Sequence, residues 1–107
     1  MDSVIEDTLQ RYNLKDHEHK SAGSLSGGNK RKLTCAMALL GNPDVMIVDE
    51  VSAGVDPVAR RLIWKAMKHD AHDSALLLTT HTLEEAEALA NKIGIMAQGK
   101  LKCLGSL

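Results

Sequence analysis

Three groups of residues in this chain carry chemistry by their type and spacing. Val45-Met46-Ile47-Val48 is an apolar, β-branched-rich run that delivers two consecutive carboxylates, Asp49 and Glu50. Ala75 to Thr80 is a second such run, and it ends directly at His81. Ser26-Gly27-Gly28-Asn29 heads a stretch of helical periodicity. Glycines there leave backbone N–H groups open, and a helix start adds the positive end of its dipole, so this segment suits an anion. The acid pair with an imidazole suits other work. One carboxylate can serve a divalent cation, the next a water, and the ring a phosphate oxygen. Together these are the needs of phosphoryl transfer to water. Each group also has a plainer reading: two acids after a strand often form only a polar loop edge, and Ser-Gly-Gly often only turns a chain into a helix.

The surrounding elements must bring these groups together. Val4, Ile5, Leu9 and Tyr12 recur at helical spacing, which predicts an opening helix ending near Asn13. Residues 14–25 are polar and read as a loop; His17 and His19 lie in it without the further ligands a metal needs. Ser26 suits the N-cap of a second helix, with Leu33, Ala36, Met37 and Leu40 as its apolar stripe. Lys30, Arg31 and Lys32 begin its solvated side, and Gly41 and Pro43 stop it. Val45 to Val48 lacks polar alternation, as expected of a strand covered on both faces.

Asp56-Pro57 reads as an N-cap and first-turn proline, opening a helix that buries Val58, Leu62, Ile63, Ala66 and Met67. Thr82-Leu83-Glu84-Glu85 matches a capping box, with Leu83, Ala86, Leu89 and Ala90 facing inward. Ile93 to Ala97, a Gln98-Gly99 turn and Lys100 to Leu104 complete the chain as a hairpin. Strand, helix, strand, helix predicts an α/β fold with parallel pairing. Ligands of such sheets gather at the carboxyl ends of the strands, where Asp49, Glu50 and His81 fall.

Bulk properties narrow the classes. With 107 residues the chain is one domain at most, and 44% hydrophobic with 25% charged residues is ordinary for a globular chain. A net charge of -1 gives no case for a nucleic-acid partner. Cys35 and Cys103 lack metal-ligand spacing, so a reducing compartment is expected and Cys35 reads as a core residue. No apolar run reaches the roughly 20 residues a membrane span needs.

Leu25-Ser26-Gly27-Gly28-Asn29-Lys30-Arg31-Lys32-Leu33, then Gly41-Asn42-Pro43, Val48-Asp49-Glu50, Gly54-Val55-Asp56-Pro57 and His81 resemble the C-terminal half of an ABC transporter nucleotide-binding domain. The Asn-Lys-Arg-Lys run and the ending Gly99 to Ser106 look most like the A subfamily, whose members are typically lipid exporters. The resemblance implies a partial P-loop NTPase fold over residues 1–107. A helical signature region would occupy about 1–41 and the catalytic core half about 42–107. It implies ATP and Mg²⁺ as cofactors, with Glu50 as catalytic carboxylate, His81 as switch-loop histidine and Asp49 at the Mg²⁺, through water. Ser26, Gly27, Gly28 and Asn29 would touch an ATP held by the opposite domain, and Asp56 would close the D-loop that runs between the two ATP sites. Partners would be a second nucleotide-binding domain, arranged head to tail, and transmembrane domains at the cytoplasmic face of a membrane. Val51 stands where the family usually has proline, which removes a backbone constraint beside Glu50.

A phosphate loop requires Gly-x-x-x-x-Gly-Lys-[Ser/Thr] after a strand. Gly23 to Lys30 has the glycine spacing, but Asn29 holds the lysine position and residues 16–22 are polar rather than strand-like. The Walker A half is therefore expected outside these residues, its loss is expected to leave a hydrophobic sheet edge unpaired, and the chain alone is expected to hydrolyse ATP negligibly. Two readings stay open: an ATPase completed by upstream sequence, or a non-enzymatic product that docks to another nucleotide-binding domain. An ABC-type ATPase of DNA repair or chromosome structure is disfavoured, because no heptads are present.

Overall fold

The computed structural model describes residues 2–107. Helix α1 spans Asp2–Arg11 and α2 Gly27–Leu39; strand β1 spans Val45–Asp49, helix α3 Pro57–Asp70 and strand β2 Ala75–Thr79. Helix α4, Leu83–Leu89, is followed by strands β3, Lys92–Ala97, and β4, Lys100–Ser106. Strands β1 and β2 pair in parallel from Val45 opposite Ala75 to Asp49 opposite Thr79, and β3 pairs antiparallel with β4. The expected α/β order and terminal hairpin are both present.

The helix starts follow from their caps. Ser26 Oγ accepts from Asn29 N at 3.3 Å. Asp56 Oδ2 accepts from Val58 N and Ala59 N, both at 3.1 Å, with Pro57 in the first turn where it costs no hydrogen bond. The hairpin turns on Gln98 and Gly99, both with positive φ (51° and 71°), the type I′ geometry that matches strand twist. Within it, a Cβ on Gly94 would lie 2.9 Å from Leu101 Cδ1, so a larger residue there would displace the tip of that leucine.

The core joins Tyr12, Leu14, Cys35, Ala36, Leu39, Met46, Val51, Ile63, Ala66 and Met67. Leu14, expected in a loop, is almost fully buried, because the chain leaves α1 through Asn13 in a left-handed conformation and folds back onto the core. Arg11 Nη1 fixes this exit by its 2.5 Å pairing with Asp70 Oδ1 at the end of α3. Val51 is buried in the same cluster, so the residue beside Glu50 is held by packing rather than by a proline ring.

Several expected faces are corrected. On α2 the buried side is Lys32, Cys35, Ala36 and Leu39, while Met37 and Leu40 point outward. Helix α3 packs against α2, and a lysine on a packed side can bury its aliphatic stem. Val58 and Leu83 are exposed, since each lies in a first turn that precedes its helix's contact with the core. Val4 and Ile5 are also exposed. The capping box does not form: Thr82 makes no side-chain cap, and Glu85 is drawn into the interior instead.

Strand β1 is covered on one face only. Met46 and Val48 point to the core with Leu76 and Leu78 of β2, whereas Val45, Ile47 and Leu77 are 64%, 76% and 61% exposed. Period-2 alternation puts these three on the opposite side, where no described helix packs.

Candidate functional site

Parallel pairing brings the two strand ends to one edge. Asp49 lies opposite Thr79, whose Oγ1 donates to Asp49 Oδ1. The next residue, Glu50, takes a left-handed φ of 47° and donates its N–H to Thr79 O at 2.9 Å. This turn swings the chain off the sheet and sets the Glu50 side chain toward the end of β2. There Glu50 Oε1 meets His81 Nδ1 at 3.0 Å. Both side chains remain open to solvent, 48% and 69% exposed. They line a recess of about 160 Å³ with Ser52, Arg60, Thr80 and Glu85.

Glu50 and His81 are thus brought together, whereas Asp49 lies at the same strand end, paired with Thr79, and is not among the residues lining the recess. Ser26, Gly27, Gly28 and Asn29 are not among the residues lining this recess; they form the start of α2. A Cβ added at Gly27 or Gly28 would meet nothing within 4 Å, so the approach to their backbone is open. Asn29 is tied to the preceding loop: its Nδ2 lies 3.3 Å from His17 Nε2, and Lys20 Nζ lies 3.0 Å from His17 Nδ1. Among the described residues no group of three or more acidic, His or Cys side chains is gathered for a metal ion. Asp56 spends Oδ2 on capping α3.

Sequence reasoning missed Glu85. Its carboxylate is 2% exposed, and Oε1 accepts from Ser52 Oγ and from Trp64 Nε1, the latter at 3.0 Å. Burial alone would push this carboxyl up; hydrogen bonding led by Ser52 outweighs it and holds the group below the usual carboxylate range. The Arg60 guanidinium stacks 5.6 Å from the Trp64 ring centroid, which steadies the indole. The available signal was spacing: Glu85 shares a helix face with Leu89, four residues on, and Leu89 packs against the core. Elsewhere, burial raises the Cys35 thiol to about 11.

A helical segment, a parallel strand pair ending in an acid–acid–histidine edge, and a glycine-headed helix define an α/β arrangement of the kind found in P-loop NTPase folds. A family model described as "AAA domain, putative AbiEii toxin, Type IV TA system" matches residues 4–86. The phospholipid-transporting ATPase ABCA3 of Rattus norvegicus is 46% identical over 107 residues, covering 99% of this chain and 6% of that protein. ABC transporter A family member 5 of Arabidopsis thaliana is 43% identical over 108 residues, covering 99% of this chain and 12% of that protein. A solved ATP-binding subunit of an ABC transporter superposes with a TM-score of 0.78 at 29% identity, covering 94% of this chain and 42% of that chain. The chain belongs to this AAA-domain family, as part of an ABC-type nucleotide-binding domain of the A subfamily. It spans a small fraction of the transporters it matches and less than half of the solved subunit. No helix among the described residues is long and apolar enough to cross a membrane.

Proposed function

We propose that this chain is the C-terminal half of an ABC-type ATPase domain. It hydrolyses ATP within a transporter once a half bearing the phosphate loop completes the site. The observation that carries the reading is the 3.0 Å pairing of Glu50 Oε1 with His81 Nδ1 at the carboxyl edge of a parallel strand pair. Residues 1–41 serve as the helical signature region and 42–107 as the catalytic core half.

Glu50 orients the attacking water and accepts its proton as the γ-phosphate is approached in line. A neutral His81 that gives its Nδ1 proton to Glu50 has only an accepting Nε2; donation to a phosphate oxygen requires the doubly protonated ring. Glu50 and His81 thus act as one proton-holding unit. Magnesium prefers one or two carboxylates, with phosphate oxygens and waters supplying the rest. Asp49, one exposed carboxylate at a strand end whose Oδ1 already accepts from Thr79, fits that role. Bound Mg²⁺ would offset the charge of the phosphates.

Ser26, Gly27, Gly28 and Asn29 serve an ATP held by a second nucleotide-binding domain, head to tail. Their separation from the Glu50 recess and the open space over Gly27 and Gly28 support this assignment. Asp56 shapes the D-loop along that interface by capping α3. Transmembrane partners, a place at the cytoplasmic face and lipid as cargo are proposed from the likeness to phospholipid-transporting ATPases. The bare face of Val45, Ile47 and Leu77 favours a second reading, a non-enzymatic product that docks to another nucleotide-binding domain. Joining the chain to a phosphate-loop half and measuring ATP hydrolysis separates the two. Glu50→Gln should then lower the rate by roughly a hundredfold or more while ATP binding persists, since a general base is typically worth 10²–10⁴.

A further inference from the structure

We propose that Glu85 is a positioning residue whose buried carboxylate pins the loop of residues 50–55 against the helix that follows His81. The proposal rests on the reading of Glu50 and His81 as the hydrolytic pair. Glu85 Oε1 accepts hydrogen bonds from Ser52 in that loop and from Trp64 in α3, while Glu85 itself lies in α4. Ser52 is two residues from Glu50, and Glu85 four from His81. Both members of the 3.0 Å pair are therefore tied by short tethers to one buried oxygen.

Stability alone does not explain the group. Glu85 is 2% exposed, and the ion pairs of the described residues give it no cationic partner. Burying a carboxylate without a cation carries a desolvation cost that its hydrogen bonds must offset, and those bonds join the loop, α3 and α4 at one oxygen. Glu50 supplies the need for that geometry. Its left-handed φ is strained for a side-chain-bearing residue and persists only where surrounding contacts over-determine it. The Glu50 N–H is held by Thr79 O at 2.9 Å, but beyond it the loop's backbone bonds are local: Ala53 N donates to Glu50 O at 3.1 Å and Val55 N to Ser52 O at 3.2 Å. The Ser52–Glu85 bond links that local turn to two helices. Arg60, stacked on Trp64, keeps the second donor of Glu85 in place.

The test uses Glu85→Gln, Glu85→Ala and Ser52→Ala in the 107-residue chain, with hydrogen exchange of single amides as the readout. Glu85→Ala should speed exchange at Ala53 and Val55 by about tenfold or more while the β1 amides stay unchanged, because local opening is freed without global unfolding. Glu85→Gln keeps an acceptor oxygen for both donors and should restore most of the protection. Where Glu85→Ala does not fold, Ser52→Ala, which keeps the carboxylate, should speed the same two amides by about threefold. Unchanged exchange at Ala53 and Val55, or an equal rise across β1, overturns the proposal. In a chain joined to a phosphate-loop half, Glu85→Ala should lower kcat about tenfold with KM for ATP within about twofold, the signature of lost transition-state alignment. A joined wild-type chain that does not hydrolyse ATP, with loop exchange still following Glu85, supports the pin and refutes the functional reading.

Discussion

Glu50 turns the chain off β1 in a left-handed conformation and sets its carboxylate against His81, so one residue supplies both a bend and the base of the proposed reaction. Removing the charge without the shape, by Glu50→Gln, should leave the fold intact and lower hydrolysis in the completed domain by roughly a hundredfold or more. Two other groups set the pH limits of stability. The carboxyl of Glu85 sits lower in the folded chain than in the unfolded one. Its contribution is therefore present above the ordinary carboxylate range and is lost as pH falls through the folded value. Urea titrations between pH 6 and 3 should show a steeper loss for the wild-type chain than for Glu85→Gln. Cys35 has the opposite sign. Its thiol rises from 9.0 to about 11 in the fold, so stability is full below pH 9 and declines as pH rises toward 11. The Cys35 share of the decline should reach roughly 2–3 kcal/mol by pH 11, and Cys35→Ala should remove that share, leaving the loss that the buried Tyr12 hydroxyl, also pushed up, adds above pH 10; the variant should also lower stability at neutral pH through the small cavity it leaves.

At the scale of elements, two caps decide where the functional helices begin. Asp56→Ala removes both 3.1 Å bonds to the first turn of α3 and should cost about 1–2 kcal/mol; Ser26→Ala, losing one bond of 3.3 Å, should cost about 0.5–1. Thermal melts of the two variants check the order. These starts were legible because a cap is local: Ser26, Asp56-Pro57 and Gln98-Gly99 each act on backbone within three residues. The strands were legible for the same kind of reason, since Val45–Val48 and Ala75–Thr80 hold unbroken apolar runs. The candidate edge followed, because strand ends set where Asp49, Glu50 and His81 fall. Helix faces were not local. Met37, Leu40, Val58 and Leu83 belong to plausible apolar stripes, yet which side of a helix is buried depends on where α3 and β1 lie, not on the helix itself. Glu85 was misread for a related reason. Its spacing from Thr82 fits a cap, but Ser52 and Trp64, 33 and 21 residues away in sequence, offer its carboxylate a better site.

The whole molecule is unbalanced in its apolar surface. One face of the β1–β2 pair is packed and the other bare, and on the hairpin Ile95, Met96, Leu101 and Leu104 are all more than half exposed. Replacing Ile47 and Leu77 together by Thr should delay aggregation of the chain, followed by light scattering, and change its melting temperature little, because neither side chain contacts the core. The likeness to a solved ATP-binding subunit covers 42% of that subunit, and the residues present form one packed layer with a bare far side. Glu50 and His81 pair at an open edge in the same way, with Asp49 at the end of β1 and no phosphate-loop motif among these residues. The most direct test is steady-state ATP hydrolysis by the purified chain, alone and joined to a phosphate-loop half. The account predicts no turnover alone, turnover when joined, and its loss with Glu50→Gln. Stoichiometric, hydrolysis-competent ATP binding by residues 1–107 alone, or joined activity untouched by Glu50→Gln, would contradict it.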